Sequence, residues 1–154
     1  MKNASEVLSD WQSLSSAEKS SRLARKFAKR CGMKSMAEVQ CAAWLEQHKV
    51  PFKYESERWV YQYKPATYRP DFLLNGFAIE VKGKLTAEVR RKLLAVMRSN
   101  PDKKLYLVFE RANNKIRGGS KTTYGDWATK AGIPWSEHTP DKGWFKHVGK
   151  RTSS

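Results

Sequence analysis

The sequence predicts a small α/β domain behind a helical N-terminal arm, and three observations lead to this fold class. Apolar residues recur at helical spacing in the N-terminal third, where Ser15 and Ser35 each begin a stretch with capping-box spacing. Asn75-Gly76 separates two short apolar runs, which is typical of a β-hairpin turn. Residues 105–109 form a continuous apolar run, as expected for a strand in the middle of a sheet.

The same patterns predict the order of the elements. Capping residues and apolar periodicity predict helices over residues 4–13, 16–31, 36–48, 86–99 and 123–130. Runs rich in β-branched and aromatic residues predict strands over residues 52–55, 58–63, 71–74, 77–82 and 105–109. Pro65 is expected to end the second strand, and Gly132 the last helix.

Charge limits the range of possible partners. The 154 residues include 30 Lys and Arg against 15 Asp and Glu, a formal net charge of +15. A surplus of this size favours a polyanionic partner, with nucleic acid as the first candidate and an acidic membrane surface as the second. The alternative is a generically basic protein without a specific partner.

Other sequence features argue against a secreted, membrane or zinc protein. The N-terminus has no apolar signal segment, and no run approaches the ~18 apolar residues of a spanning helix, so we expect a cytoplasmic protein. Cys31 and Cys41 form no C-x-x-C pair and the three histidines are scattered. We therefore expect reduced thiols and no zinc site.

The Asn75-Gly76 turn makes a specific prediction about two carboxylates. A two-residue type I′ loop there places Asp71 opposite Glu80, with Cβ atoms about 5 Å apart. Because side chains alternate along a strand, Asp71, Glu80 and Lys82 are expected to share one face of the hairpin. The opposite face would be apolar and consist of Phe72, Leu74, Phe77, Ile79 and Val81.

This arrangement points to metal chemistry. Like charges opposite each other destabilise a strand pair, and a divalent cation removes that conflict. Asp71, Glu80 and the Val81 carbonyl would hold the ion, while Lys82 would position the attacking water and offset charge on the phosphorus. The alternative is a solvated strand edge with a Lys82–Glu80 surface ion pair worth ~0–1 kcal/mol.

Pro70-Asp71 followed by Glu80-Val81-Lys82 resembles the PD-(D/E)xK nuclease superfamily. Within it, the chain is similar to phage endonuclease I, the Holliday-junction resolvases of podophages. The resemblance covers about residues 35–144, and its most specific part is the glycine-rich stretch 115–127.

The resemblance implies a restriction-endonuclease-like core, a mixed central sheet flanked by helices. Together with the predicted elements, its extent divides the chain into a basic helical arm (1–34), a nuclease domain (35–145) and a basic flexible tail (146–154). It further implies Mg²⁺ or Mn²⁺, two ions per site, and a homodimer in which residues 61–67 are the bridge of a domain swap.

The resemblance also implies further ligands. Glu38 is implied as a catalytic metal ligand supplied by the partner chain; without the resemblance it is an ordinary helix-start cap. The family has another acid where this chain has Lys53. Glu55, two residues on and expected on the same strand face, is a possible replacement ligand.

The function implied is a metal-dependent endodeoxyribonuclease that resolves branched DNA such as Holliday junctions. The alternatives are a nicking or degradative nuclease without branch preference and a non-catalytic basic DNA-binding protein. The glycine-rich stretch and the basic helix over residues 16–31 are both expected to contact DNA. The alternatives are a plain turn for the stretch and a solvated surface for the helix. The predicted DNA-binding residues are Arg25, Lys29, Arg69, Lys84, Lys115, Arg117, Gly119, Ser120, Lys121 and Thr122.

Overall fold

A computed structural model describes residues 1–62 and 65–146 and divides the chain into two compact units, Met1–Pro51 and Phe52–Ser154. The division follows Pro51, because the third helix packs with the first two. The functional boundary after residue 34 stays a prediction. Residues 147–154 of the predicted tail lie outside the described residues. Residues 63 and 64 of the predicted bridge lie outside them as well.

The N-terminal unit consists of three helices, α1 (Ala4–Gln12), α2 (Ser21–Lys29) and α3 (Met36–Gln47). Asn3, Ser20 and Ser35 cap them, and each side chain accepts a hydrogen bond from a backbone N–H in the first turn. The Glu46 carboxylate accepts the N–H groups of Ala4 and Ser5, which joins the start of α1 to α3.

The predicted helix over residues 16–31 begins later than expected. Ser15 does bond the Glu18 carboxylate through both its N–H and its hydroxyl, at 2.8 and 2.7 Å. This contact closes only an isolated turn, and Ser20 then adopts an extended conformation and caps α2. Serine side chains compete with helical backbone bonds in this way, so the prediction of one continuous helix was wrong.

The second unit contains a mixed five-stranded sheet, as predicted. Its strands, in spatial order, are β1 (Lys53–Tyr54), β4 (Phe72–Leu74), β5 (Phe77–Lys82), β6 (Leu105–Phe109) and β7 (Trp135–Glu137). The β1–β4 and β4–β5 pairs are antiparallel, and β5–β6 and β6–β7 are parallel. Strand β7 is absent from the predicted elements.

Two helices and a 3₁₀ turn complete this unit. Helix α4 (Ala87–Ser99) connects β5 to β6, α5 (Tyr124–Lys130) precedes β7, and the 3₁₀ turn covers Lys142–Phe145. Thr86 and Thr123 cap the two helices, as the predicted starting points require. Gly132 follows α5 with a φ of 71°.

Both faces of the sheet are covered. On one face, Ala78, Leu107 and Phe109 are buried in a cluster with Leu93 of α4 and Ala128 of α5. On the other, Phe77 stacks on Tyr106 at 4.7 Å between ring centroids, and Tyr106 meets Trp144 at 4.9 Å. Residues 77–80 of β5 are therefore buried on both sides, which places any charged side chain there in a largely dry environment.

Residues 59–62 and 65–68 form a separate two-stranded antiparallel sheet, β2 (Trp59–Gln62) and β3 (Pro65–Tyr68), with Val60 opposite Thr67. Strand β2 ends before Pro65, as predicted, and Pro65 is the first residue of β3, a position where its missing N–H is tolerated. The described part of the predicted bridge thus folds back within one chain.

Among the described residues, Cys31 and Cys41 form no disulfide. In the same part of the chain, every helix is too short or too polar to cross a membrane.

Candidate nuclease site

The β4–β5 hairpin has the predicted register. Leu74 is opposite Phe77, and Phe72 is opposite Ile79. The turn differs from the prediction, because Gly76 has a φ of 97° but Asn75 is not in the left-handed region. A positive φ at the second loop residue alone is the pattern of a type II turn, so the expected type I′ geometry was wrong.

Asp71 and Glu80 are held together by crossed hydrogen bonds. The Asp71 N–H donates to Glu80 Oε2 at 3.2 Å, and the Val81 N–H donates to Asp71 Oδ2 at 2.8 Å. Each carboxylate therefore accepts an N–H from the strand segment that carries the other. This pairing places both acids on one side of the hairpin, as the predicted register requires.

Lys82 neutralises part of the charge that these acids bring together. Its Nζ donates to Glu80 Oε1 at 2.5 Å, and the side chains of Lys82 and Glu80 are 22% and 5% exposed. The predicted like-charge conflict is thus offset within the protein by one ammonium and two backbone N–H groups. The low exposure of Glu80 distinguishes this pair from the solvated surface pair considered as the alternative.

Tyr68 is a neighbour of the two acids that the sequence patterns did not single out. The residue is 5% exposed, and its hydroxyl oxygen is buried without a hydrogen-bond partner of proper distance and angle among the described residues. Burial, together with the nearby Glu80 and Asp71 carboxylates, raises the pKa of the Tyr68 phenol well above its usual value. The hydroxyl is therefore a neutral donor close to Glu80.

The donor atoms in this place fit a hard divalent cation. The described residues contain no group of three or more His, Cys, Asp or Glu side chains arranged to hold a metal. Mg²⁺ nevertheless uses one or two carboxylates and completes its octahedron with water and phosphate oxygens. Asp71, Glu80 and the Val81 carbonyl are such a set, and the Tyr68 hydroxyl beside them is a polar group with no structural bond to make among the described residues.

Glu55 lies next to Asp71 but not on a strand. Strand β1 ends at Tyr54, and Glu55 has a φ of 45°, so the expectation that it shares a strand face with Lys53 was wrong. Its N–H donates to the Asp71 carbonyl at 3.0 Å, and its carboxylate lies 3.6 Å from the Arg69 guanidinium. Its backbone is thus tied to the site, while one oxygen of its side chain pairs with Arg69.

Glu38 belongs to the N-terminal unit, where it caps α3. Its carboxylate accepts the Ser35 hydroxyl at 2.8 Å and the Lys34 N–H at 3.1 Å, and its own N–H donates to Ser35 Oγ. In this single chain Glu38 has the helix-start role that was the alternative to metal binding.

The glycine-rich stretch forms an exposed basic loop between β6 and α5, here called the 115–123 loop. A bridge between Lys115 and Thr123 closes its base, and Gly119 has a φ of 73° at its tip. The Thr122 N–H donates to Ser120 Oγ, and Arg90 Nη1 donates to the Ile116 carbonyl from α4. The charged members of the loop, Lys115, Arg117 and Lys121, are all exposed, as are Arg69 and Lys84.

Helix α2 carries four exposed cations on one side, here called the α2 stripe, at positions i, i+3, i+4 and i+7. They are Arg22, Arg25, Lys26 and Lys29, and with Ser21 they line one groove. None of the four makes an ion pair within the described residues. Arg25 and Lys29 were predicted as DNA contacts, and the structure adds the other two.

The chain is also similar to known proteins. The family model described as "Phage endonuclease I" matches residues 19–154. Endodeoxyribonuclease 1 of Enterobacteria phage T3 is 34% identical over 122 residues, covering 75% of this chain and 80% of the relative. Endonuclease I of Escherichia phage T7 is 36% identical over 103 residues, covering 64% and 69%. With the matched region containing both the β4–β5 hairpin and the 115–123 loop, the chain belongs to the phage endonuclease I family.

Proposed function

We propose that this protein is a metal-dependent endodeoxyribonuclease that hydrolyses DNA phosphodiesters at Asp71, Glu80 and Lys82. The observation that carries the proposal is the convergence of these three side chains on one side of the β4–β5 hairpin, with Glu80 and Lys82 in contact and largely buried. Membership of a family whose relatives are named endonucleases supports the same reaction.

Each residue has a distinct part in this proposal. Asp71, Glu80 and the Val81 carbonyl would hold Mg²⁺ or Mn²⁺. When bound, the cation supplies positive charge at the phosphate and lowers the pKa of a coordinated water. Lys82 orients the attacking water and stabilises the negative charge that develops on phosphorus. The attacking water loses a proton to solvent as its oxygen bonds to phosphorus, in line with the breaking P–O3′ bond, and the departing oxygen takes up a proton from solvent.

Two basic surfaces are suited to hold the DNA. The 115–123 loop combines three exposed cations with a glycine tip that allows a phosphate to approach the backbone closely. The α2 stripe places four cations at helical neighbour positions, where like charges repel by about 0.2–0.5 kcal/mol per pair. A bound phosphate backbone removes that repulsion and releases its own counterions.

We further propose that the preferred substrate is branched DNA such as a Holliday junction, and that the active form is a homodimer. The resemblance to the phage endonuclease I family supports both. A symmetric dimer presents two equivalent cleavage sites, as a pair of cuts across one junction requires. The β2–β3 pair would have to open for residues 61–67 to cross between chains.

One cleavage experiment tests the proposed activity. The protein is incubated with a four-way junction and with a linear duplex of the same arm sequence, in Mg²⁺, Mn²⁺ or EDTA, beside an Asp71→Asn variant. We expect metal-dependent cuts in the junction alone and none with Asp71→Asn. Equal cutting of both substrates would retain the nuclease but refute the branch preference. Binding without cutting in either metal would refute the nuclease itself.

A mixing experiment tests whether Glu38 is a ligand supplied by a second chain. Glu38→Gln keeps a side-chain oxygen for the α3 cap but removes the charge that a metal would need. Alone, Glu38→Gln and Asp71→Asn are both expected to be inactive. After co-refolding, mixed dimers regain one intact site per dimer if the site is shared between chains. Full activity of Glu38→Gln alone would exclude Glu38 as a ligand and leave it as a cap.

A further inference from the structure

The Tyr68 hydroxyl is an unusual group to find in the interior of a protein. Tyr68 lies at the end of β3, opposite Trp59, and its ring packs in the core between the sheet and α4. A tyrosine buried for packing alone normally finds a hydrogen-bond partner for its hydroxyl. This hydroxyl has no partner of proper distance and angle within the described residues, although only 5% of the residue is exposed to solvent and the Glu80 carboxylate is a nearby acceptor. A phenylalanine would fill the same space without burying an unsatisfied polar atom.

The neighbours of the Tyr68 hydroxyl indicate a role in the proposed site. It lies near enough to Glu80 to interact with that carboxylate, with Asp71 as the second neighbouring charge. The Lys92 ammonium lies 5.3 Å from the centre of the Tyr68 ring. In the structure each Glu80 oxygen accepts one hydrogen bond, Oε1 from Lys82 and Oε2 from the Asp71 N–H, which leaves acceptor capacity for a further donor.

The proposed reaction disturbs that arrangement. When Lys82 turns its ammonium from Glu80 Oε1 to water and phosphate, Glu80 loses the one ammonium that contacts it among the described residues. The Glu80 carboxylate would then be held by the Asp71 N–H alone and could rotate away from the geometry that a cation needs. A second donor at the same carboxylate would prevent this.

We propose that Tyr68 is a positioning residue of the nuclease site, whose buried hydroxyl donates to the Glu80 carboxylate once Lys82 turns to the substrate. The inference depends on the proposed function, since it assigns Tyr68 a part in that site. Tyr68 touches neither DNA nor the reacting phosphate in this role. It acts through Glu80, by holding the orientation of that carboxylate.

A hydroxyl with this role leaves a signature that a structural hydroxyl does not. Tyr68→Phe removes an unsatisfied buried group from the metal-free protein, so its midpoint of denaturation in EDTA is expected to be equal to or higher than that of wild type. Its affinity for Mg²⁺ and its single-turnover cleavage rate should both fall by about tenfold or more, as when the outer partner of a metal ligand is removed. The affinity for DNA in EDTA should not change.

Tyr61→Phe is the matched control. Tyr61 is half-buried on the neighbouring strand, and its ring lies 5.8 Å from the same Lys92 ammonium. Loss of its hydroxyl should leave denaturation, Mg²⁺ affinity and cleavage unchanged. The full-length chain is used throughout, with calorimetric Mg²⁺ titration as the readout that is independent of cleavage.

The outcomes separate the inference from the proposed function. A wild-type protein that neither binds Mg²⁺ nor cuts DNA would refute both. An active wild type with a Tyr68→Phe variant that binds Mg²⁺ and cuts equally well would refute the role of Tyr68 alone. A Tyr68→Phe variant that is less stable in EDTA would show that the hydroxyl has a structural partner, and would also refute that role.

Discussion

Asp71 and Val81 are joined across the β4–β5 hairpin by a 2.8 Å hydrogen bond from the Val81 N–H to Asp71 Oδ2. The bond ties the carboxylate to the backbone between Glu80 and Lys82, the other two residues of the proposed site. Asp71 thus has a structural task in addition to its proposed chemical one, and the two tasks can be separated by the choice of substitution.

Asp71→Asn and Asp71→Ala should both abolish cleavage but differ in stability. The Asp71→Asn side chain keeps an amide oxygen for the Val81 N–H, whereas Ala leaves that donor without a partner. We expect Asp71→Ala to lower the free energy of unfolding by about 1–2 kcal/mol, and Asp71→Asn by less. Urea denaturation measures the difference. Both variants should bind DNA at least as tightly as wild type, since a negative charge is removed, and normal cleavage by either would refute the site.

Substitutions of Lys82 and Glu80 should lower the free energy of unfolding by different amounts. Lys82→Ala leaves a buried carboxylate without its ammonium, and we expect a loss of about 2 kcal/mol in the free energy of unfolding. Glu80→Gln leaves a lysine that is 22% exposed and can extend into solvent, so its cost should be under about 1 kcal/mol. Both variants should be inactive. Equal stability losses in urea denaturation would show that the pair is more hydrated than its exposure indicates.

Gly76 and Asn75 should differ in their tolerance of a side chain. Gly76 has a φ of 97°, and no atom lies within 4 Å of the position that an added Cβ would take, so Gly76→Ala has a conformational cost alone, about 1–2 kcal/mol. Asn75→Ala has no such cost and should change stability by less than about 0.5 kcal/mol. Thermal denaturation of the two single variants checks this. A larger effect at Asn75 would indicate that the loop has the type I′ geometry after all.

The α2 stripe should contribute to DNA affinity through salt-dependent contacts. Replacing Arg22, Arg25, Lys26 and Lys29 by Gln should weaken binding to every DNA sequence similarly. It should also reduce the slope of log K against log salt by about 1 for each phosphate that the variant no longer neutralises. Binding is measured by fluorescence anisotropy in EDTA, so that cleavage does not interfere.

A variant with the same loss of charge elsewhere is the control for this surface. Arg98, Lys104, Lys130 and Lys142 are exposed cations outside the stripe, and their replacement by Gln removes the same four charges. We expect a smaller change in the salt slope for this variant. Equal slopes for the two variants would mean that net charge, and not the α2 stripe, determines the binding.

Local sequence determined much of this protein. The Asn75-Gly76 pair set a two-residue connection, and with it the register that places Asp71 beside Glu80, because strand alternation permits no other arrangement once the loop length is known. Ser35, Thr86 and Thr123 likewise determined where α3, α4 and α5 begin, since a cap depends on bonds within one helical turn.

Only the tertiary structure decided the environment of these residues. Glu80 is buried by segments that are far apart in the chain. The same holds for the Tyr68 hydroxyl, which lacks a hydrogen-bond partner among the described residues, and for the packing of α3 against α1 and α2. The φ of Asn75 also departed from local preference, whereas the late start of α2 follows from the local hydrogen bonds of Ser15 and Ser20. The free energy of packing can exceed the conformational preference of a single residue. Patterns of neighbouring residues therefore predict helices, strands and strand pairing, whereas the burial and the hydrogen-bond partners of a side chain follow from the assembled fold.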